Sequence, residues 1–212
     1  MSLIDNLKAE LRNQLDEAKQ KLDQYPWEDT AFYKLFCAQT YYYVCHTVPL
    51  MKNAAKYVKD EVITEALEHH IKEEKGHENM AKRDITKMGD SVENLPELNK
   101  TKSIYNTIYT ATPNEPLAVV GYGLALENLA CEYASVISDR VKKGTGRNDI
   151  TFFLDCHAEI DKTHTQESDV MLNQLSEESL TELKKYMYIG FENYLNMVEE
   201  VYQQSNLQKA IA

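Results

Sequence analysis

Glycine and proline are scarce in this chain, seven and five among 212 residues. Little material is left for turns, so the chain must be built from few, long elements. Cationic residues are outnumbered, 23 lysines and arginines against 34 aspartates and glutamates. The resulting net charge of −11 argues against a nucleic-acid partner, because phosphate binding needs clustered positive charge. No apolar run of about 18 residues occurs, so no membrane-spanning helix is expected. Met1 to Lys8 carries no apolar core and no cleavage site, so no secretory leader is expected either. The four cysteines, Cys37, Cys45, Cys131 and Cys156, lack CxxC spacing and fall inside helical patterns. They read as reduced cysteines of a cytoplasmic protein. Histidine is rare too, with six in all, which makes the placement of each one informative.

What is present is helical periodicity. Ser2 can cap an amphipathic helix carrying Leu3, Leu7, Leu11, Leu15, Ala18 and Leu22 on one stripe. After Tyr25-Pro26-Trp27, a second helix is expected from Ala31 to Pro49, apolar nearly all round and kinked by the proline. Its Tyr41-Tyr42-Tyr43 run is core packing or a pocket wall. A third helix is expected from about Asp60 to Met88, with Gly89 as its C-cap. Residues 89–102 form a linker, and a short helix follows over Ser103–Ala111. The next helix starts near Leu117, carries glycines 121 and 123 for close packing, and ends at the Lys142-Lys143-Gly144 loop. Two further helices are expected, one beyond Asp149 and one from Ser176 to about Gln204. No strand candidate emerges. The fold class is all-α, one domain over 1–212, with an N-terminal amphipathic helix (1–24) on a core bundle (29–205), about seven helices in total.

The chemistry concentrates in one spacing. His157, Asp161 and His164 stand at i, i+4 and i+7, as do His70, Glu74 and His77. On a helix such residues share one stripe over roughly 10 Å of axis. Chance predicts about 0.03 such patterns in a chain of this composition, counted against the template. Neutral imidazole with carboxylate suits first-row divalent metals. Surface helices also carry these residue types routinely, and that plain reading stands beside the metal one. Glu127 follows ten residues without a charge. A carboxylate there must be paired, protonated or metal-bound. Glu132 is a weaker case of the same kind. His69 and Glu73 lie off the stripe and are expected in solvent.

Glu74, His77, Glu127, His157, Asp161 and His164 come from three helices and can hold two iron or manganese ions with a carboxylate between them. Together with Tyr41–Pro49, Glu73–His77, Asp84, Met88-Gly89 and Gly121–Glu127, these motifs resemble the heme-oxygenase-like di-iron oxidases and oxygenases from Phe32 to about Leu175. The resemblance implies a heme-oxygenase-like helical bundle with those six residues as ligands. It also implies dioxygen and a small amine, amino acid or fatty acid as substrates, in a biosynthetic pathway. The family usually places a further glutamate on the early aromatic helix, where this chain has Gln39 and Thr40. The second metal is therefore expected to be labile, with His46, His70 or Glu132 as additional or supporting groups. Gln39, Tyr42 and Tyr43 are expected in the substrate pocket, and a homodimer is compatible with the pattern. A thiaminase-II-like hydrolase using Cys131 and Glu199 is the rival reading. A non-catalytic helical binder of small molecules is another, and a ferritin-like bundle a third.

Overall fold

The structure is a computed structural model and describes residues 2–211, apart from the side chains of Gln208 and Ile211. Met1 and Ala212, which belong to the expected 1–212 domain, lie outside the described residues. Among these there is no strand, and no helix is long and apolar enough to cross a membrane.

Helix α1 (Leu3–Leu22) opens on a capping box in which the Ser2 and Asp5 side chains each accept from the other residue's backbone N–H. It buries Leu7, Leu15, Ala18 and Leu22. Trp27, fully buried, donates its indole N–H to the Leu22 carbonyl at 2.7 Å and so fixes the turn that follows. Asp29 caps α2 (Thr30–Val44), which is buried on nearly every side.

Two of the seven expected helices are each divided. The early one stops at Val44 and resumes as α3 (Thr47–Ala54). Pro49 cannot donate to the carbonyl four residues earlier and its ring crowds it. That residue is Cys45, where the break falls. The third expected helix becomes α4 (Glu61–Glu73), capped by Asp60, and α5 (Glu78–Lys87). Here the cause is Gly76, whose φ of +96° leaves the helical region altogether. After a short 3-10 turn at Val92–Asn94 come α6 (Asn99–Ala111), α7 (Ala118–Thr145), α8 (Phe152–Leu172) and α9 (Glu177–Ile211). The last is longer than the sequence pattern suggested.

Helix α7 lies along both α8 and α9, the two most extensive packing surfaces in the molecule. Gly121 permits the second of these. A Cβ there would run into the carbonyl of Leu183, which is backbone and cannot swing aside. Gly146 ends α7 in the left-handed conformation, φ +68°. The start of α8 is capped from another element. The Thr151 side chain makes no cap bond. Instead the fully buried Asp84 carboxylate of α5 accepts the N–H groups of Phe152 and Phe153 at 3.0 and 2.9 Å. This pins α5 to the first turn of α8, one turn before His157.

Candidate metal centre

The break at Gly76 places Glu74 at a corner, as the C-cap of α4, with His70 one turn behind it and His77 just ahead as the N-cap of α5. Helix α8 runs past that corner and presents His157 and His164, seven residues apart. Donor atoms of Glu74, His77 and His157 lie within 4.8 Å of one another, and so do those of His70, Glu74 and His164. Glu74 belongs to both groups. The ring centroids of His77 and His157 are 5.0 Å apart, and those of His70 and His164 are 4.2 Å apart.

Glu127 and Asp161 stand one contact outside these groups, each paired with a histidine of the second. Glu127 Oε1 is 3.1 Å from His70 Nε2, and Asp161 Oδ1 is 3.0 Å from His164 Nδ1. The carboxylate common to the two groups is therefore Glu74. His157 and His164 serve different groups rather than one. Gly123 makes room for Glu127 on its own helix, since a Cβ there would sit 3.1 Å from Glu127 Oε1.

The electrostatics ask for positive charge. Burial disfavours charge on His164, but the Asp161 hydrogen bond and the carboxylates of Glu127 and Glu74 outweigh it and raise its pKa to about 9. Burial is likewise outweighed at His70, by Glu127, and its pKa also rises. Contact with Glu74 raises His77, and the same contact outweighs burial to lower Glu74. Protons on imidazoles thus balance carboxylates where a divalent cation would do the same. The donor set passes a sharper test at His77. Its Nδ1 is buried and 3.3 Å from Glu74 Oε2, but the two are not aligned as a hydrogen bond, so the atom has no partner. Such orphaned atoms are rare in native interiors and call for a reason. His157 Nδ1 lies 2.9 Å from the Phe153 carbonyl. This assigns the proton to Nδ1 and leaves Nε2 for a ligand.

His70, Glu74, Glu127, His157, Asp161 and His164 line the inner end of a cavity of about 390 Å³, and His77 does not. Tyr43, Val44, Met51, Val62, Leu67, Val119, Tyr122, Leu124 and Met171 form most of its wall, and Glu65, His69 and Glu167 also face it. No lysine or arginine lines it. Of the three residues expected in a substrate pocket, Tyr43 lines the cavity and Gln39 and Tyr42 do not. The Gln39 amide bonds the carbonyl of Pro96, the N–H of Leu98 and the hydroxyl of Thr101, tying α2 to the start of α6. Tyr42 donates to the carbonyl of Leu95 at 2.9 Å. His46 stacks on Tyr105 at 3.7 Å, away from the cavity. Glu132 pairs with Arg12 and Lys19 and fastens α1 to α7.

Glu73 and His69 are exposed, as expected, but the sequence pattern gives no sign of their contact with the site. Glu73 Oε2 is 3.3 Å from His164 Nε2 and 3.0 Å from His69 Nδ1. With Glu167 they form a third, exposed group of potential ligands at the mouth. Cys131 and Glu199, the pair a hydrolase would need, do not line the cavity, and Glu199 is held by Tyr25 at 2.8 Å.

Solved structures share this architecture. A domain of unknown function with a heme oxygenase-like fold from Shewanella denitrificans superposes with a TM-score of 0.86 at 21% identity, over 99% of this chain and 96% of that one. A TenA homologue from Pseudomonas syringae gives 0.75 at 13% identity, over 93% of both chains. A TenA homologue from Pyrococcus furiosus gives 0.73 at 12% identity, over 92% of this chain and all of that one, 100%. The fold is heme-oxygenase-like. No curated protein matches the chain. Residues 34–197 match the family described as iron-containing redox enzymes, which is well over half of the sequence, and the chain belongs to that family.

Proposed function

We propose that the protein is a non-heme iron oxidase or oxygenase that binds two iron ions and acts with dioxygen on a small substrate with an apolar body and an amine head. The observation that carries this reading is Glu74, one buried carboxylate common to two histidine-bearing groups at the inner end of a cavity. Glu74, His77 and His157 would hold one ion. His70, Glu74 and His164 would hold the other, with Glu127 and Asp161 joining once a cation replaces the proton each now shares with a histidine. Iron(II) at these positions supplies the electrons that dioxygen needs and a Lewis-acidic centre beside the substrate.

The chain's own residues do the rest. Apolar side chains from α3, α4, α7 and α8 bury the substrate body and exclude water. Glu65 and Glu167 face the cavity with no cation to oppose them, which favours a positively charged ammonium over a free carboxylate. The first group has a single carboxylate, because α2 offers Gln39 and Thr40 where a further one would stand. That ion is the labile one. The test is anaerobic loading with iron(II), metal analysis, and dioxygen uptake with a series of alkyl and aryl amines. Two irons and amine-dependent uptake are expected. No bound iron, or uptake stimulated by carboxylic acids instead, would overturn the reading.

A further inference from the structure

Six tyrosines are buried among the described residues, and they fall into two sets. Tyr33, Tyr133 and Tyr186 each donate to an acceptor of the chain, the Ile150 carbonyl, the Asp23 carboxylate and the Glu115 carboxylate in turn. The hydroxyls of Tyr43, Tyr122 and Tyr194, residues 8%, 6% and 8% exposed, make no hydrogen bond. None of the three is sealed in, since the polar side-chain atoms sealed without a partner are Thr40 Oγ1 and His77 Nδ1. Each of these hydroxyls therefore opens onto a void. Tyr122 lines the main cavity, Tyr194 lines an adjoining void of about 50 Å³, and Tyr43 lines both.

Tyr122, on α7, stands at the inner end beside Tyr43 and Glu74. Burial, followed by these two neighbours, pushes its phenol well above the usual pKa, so the hydroxyl keeps its proton and is a donor. In the substrate-free protein water can satisfy that donor. A substrate that fills the cavity displaces the water, and a wholly apolar body would leave the hydroxyl buried without a partner, which costs affinity. At the mouth, Glu65 and Glu167 are exposed and attract the ammonium proposed above. No lysine or arginine lines the wall, which favours an uncharged acceptor at the inner end over a carboxylate.

We infer that the substrate is a bifunctional amine, with its ammonium at the mouth and an uncharged oxygen (hydroxyl, ether or carbonyl) at the far end of its apolar body, where it accepts from the Tyr122 hydroxyl. The inference rests on the amine-binding reading above and narrows its substrate class. A site that hydrogen-bonds a substrate group rejects the analogue lacking that group more sharply than an apolar pocket discriminates by size.

Calorimetry tests it with an n-alkylamine and the amino alcohol of equal chain length, on the protein as purified and after anaerobic iron(II) loading. The unaltered protein should bind the amino alcohol more tightly. The ratio of the two affinities should fall about fivefold in Tyr122→Phe, the worth of one neutral hydrogen bond. Tyr194→Phe, which alters only the smaller void, should leave the ratio unchanged. Tyr122→Phe removes one oxygen atom that no group of the chain holds, so its Tm should match that of the unaltered protein. A Tm lower by several degrees would show the hydroxyl engaged within the protein and would overturn the inference. Tighter binding of the alkylamine, a ratio that Tyr122→Phe leaves intact, or an equal fall in Tyr194→Phe overturns it while leaving amine binding in place. No binding of either amine overturns both readings. An intact ratio in a protein that takes up no iron overturns the oxidase reading and leaves this one standing.

Discussion

Replacing Asp84 by asparagine should change the pH dependence of stability by an amount that follows from its surroundings. The carboxyl is fully buried, and burial pushes its pKa up from 3.8 to about 6 even though the N–H groups of Phe152 and Phe153 pull the other way. A group with a raised folded-state pKa holds its proton in the native protein at pH values where the unfolded chain has lost it. Between about 4 and 6 the native state therefore binds more protons, and stability falls as pH rises. The difference of about two units corresponds to about 3 kcal/mol at 1.36 kcal/mol per unit. A side-chain amide keeps the shape and one acceptor but cannot ionise. Because the unfolded carboxyl is already partly ionised at pH 4, the stability of Asp84→Asn relative to the unaltered protein should improve by about 2.4 kcal/mol from pH 4 to pH 7. Urea unfolding of both proteins across that range measures it, and other titrating groups cancel in the difference. A difference that stays within about 1 kcal/mol from pH 4 to pH 7 would refute the account. Asp84→Ala is the complementary variant. It leaves two α8 N–H groups buried without partners, at about 1–3 kcal/mol each, and should loosen the helix that carries His157.

Glu74→Gln should abolish both metal sites, because the two ligand groups share that carboxylate; atomic absorption after loading would show less than one ion per chain, and retention of a full single ion would contradict the sharing. Thr40→Glu should raise occupancy of the weaker position, since Thr40 shares a helical face with the cavity residues Tyr43 and Val44 and its hydroxyl is buried without a partner. Gln39→Glu should not, because its amide is engaged by the loop before α6. His164, with its pKa raised to about 9 by Asp161 against the effect of burial, must lose a proton on metal uptake. Manganese(II) affinity should therefore climb about tenfold per pH unit up to pH 9 and level off beyond it, and a pH-independent affinity would show that no such proton is displaced. The same proton stabilises the metal-free protein fully below pH 6.5, and that contribution is lost as pH rises through 9.

How much of this was legible beforehand depends on how local each feature is. His157, Asp161 and His164 lie on 21 residues of unbroken helix, so their spacing alone places them on one buried face. The corresponding stretch, His70 to His77, follows the same spacing but not the same geometry. Gly76 reads as a tolerated glycine within a helical pattern, and nothing nearby in sequence announces that it adopts a positive φ. Yet that single torsion makes the site what it is. On a straight helix Glu74 would sit between two histidines along one line, serving one strip of α8. At a corner it meets His157 through the His77 side and His164 through the His70 side, and Glu73 swings round to His164 as well. Gln39, Tyr42 and Glu132 were misplaced for a related reason. Their partners lie 50 or more residues away, in the loop before α6 and on α1, and helical periodicity carries no information about such distances. Residue type and spacing on a regular helix thus pick out the candidate ligands. The division of those ligands into two groups is set by the one irregular residue between them, and Gly76→Ala, strained at φ +96°, should perturb both metal positions together while leaving the α8 face intact.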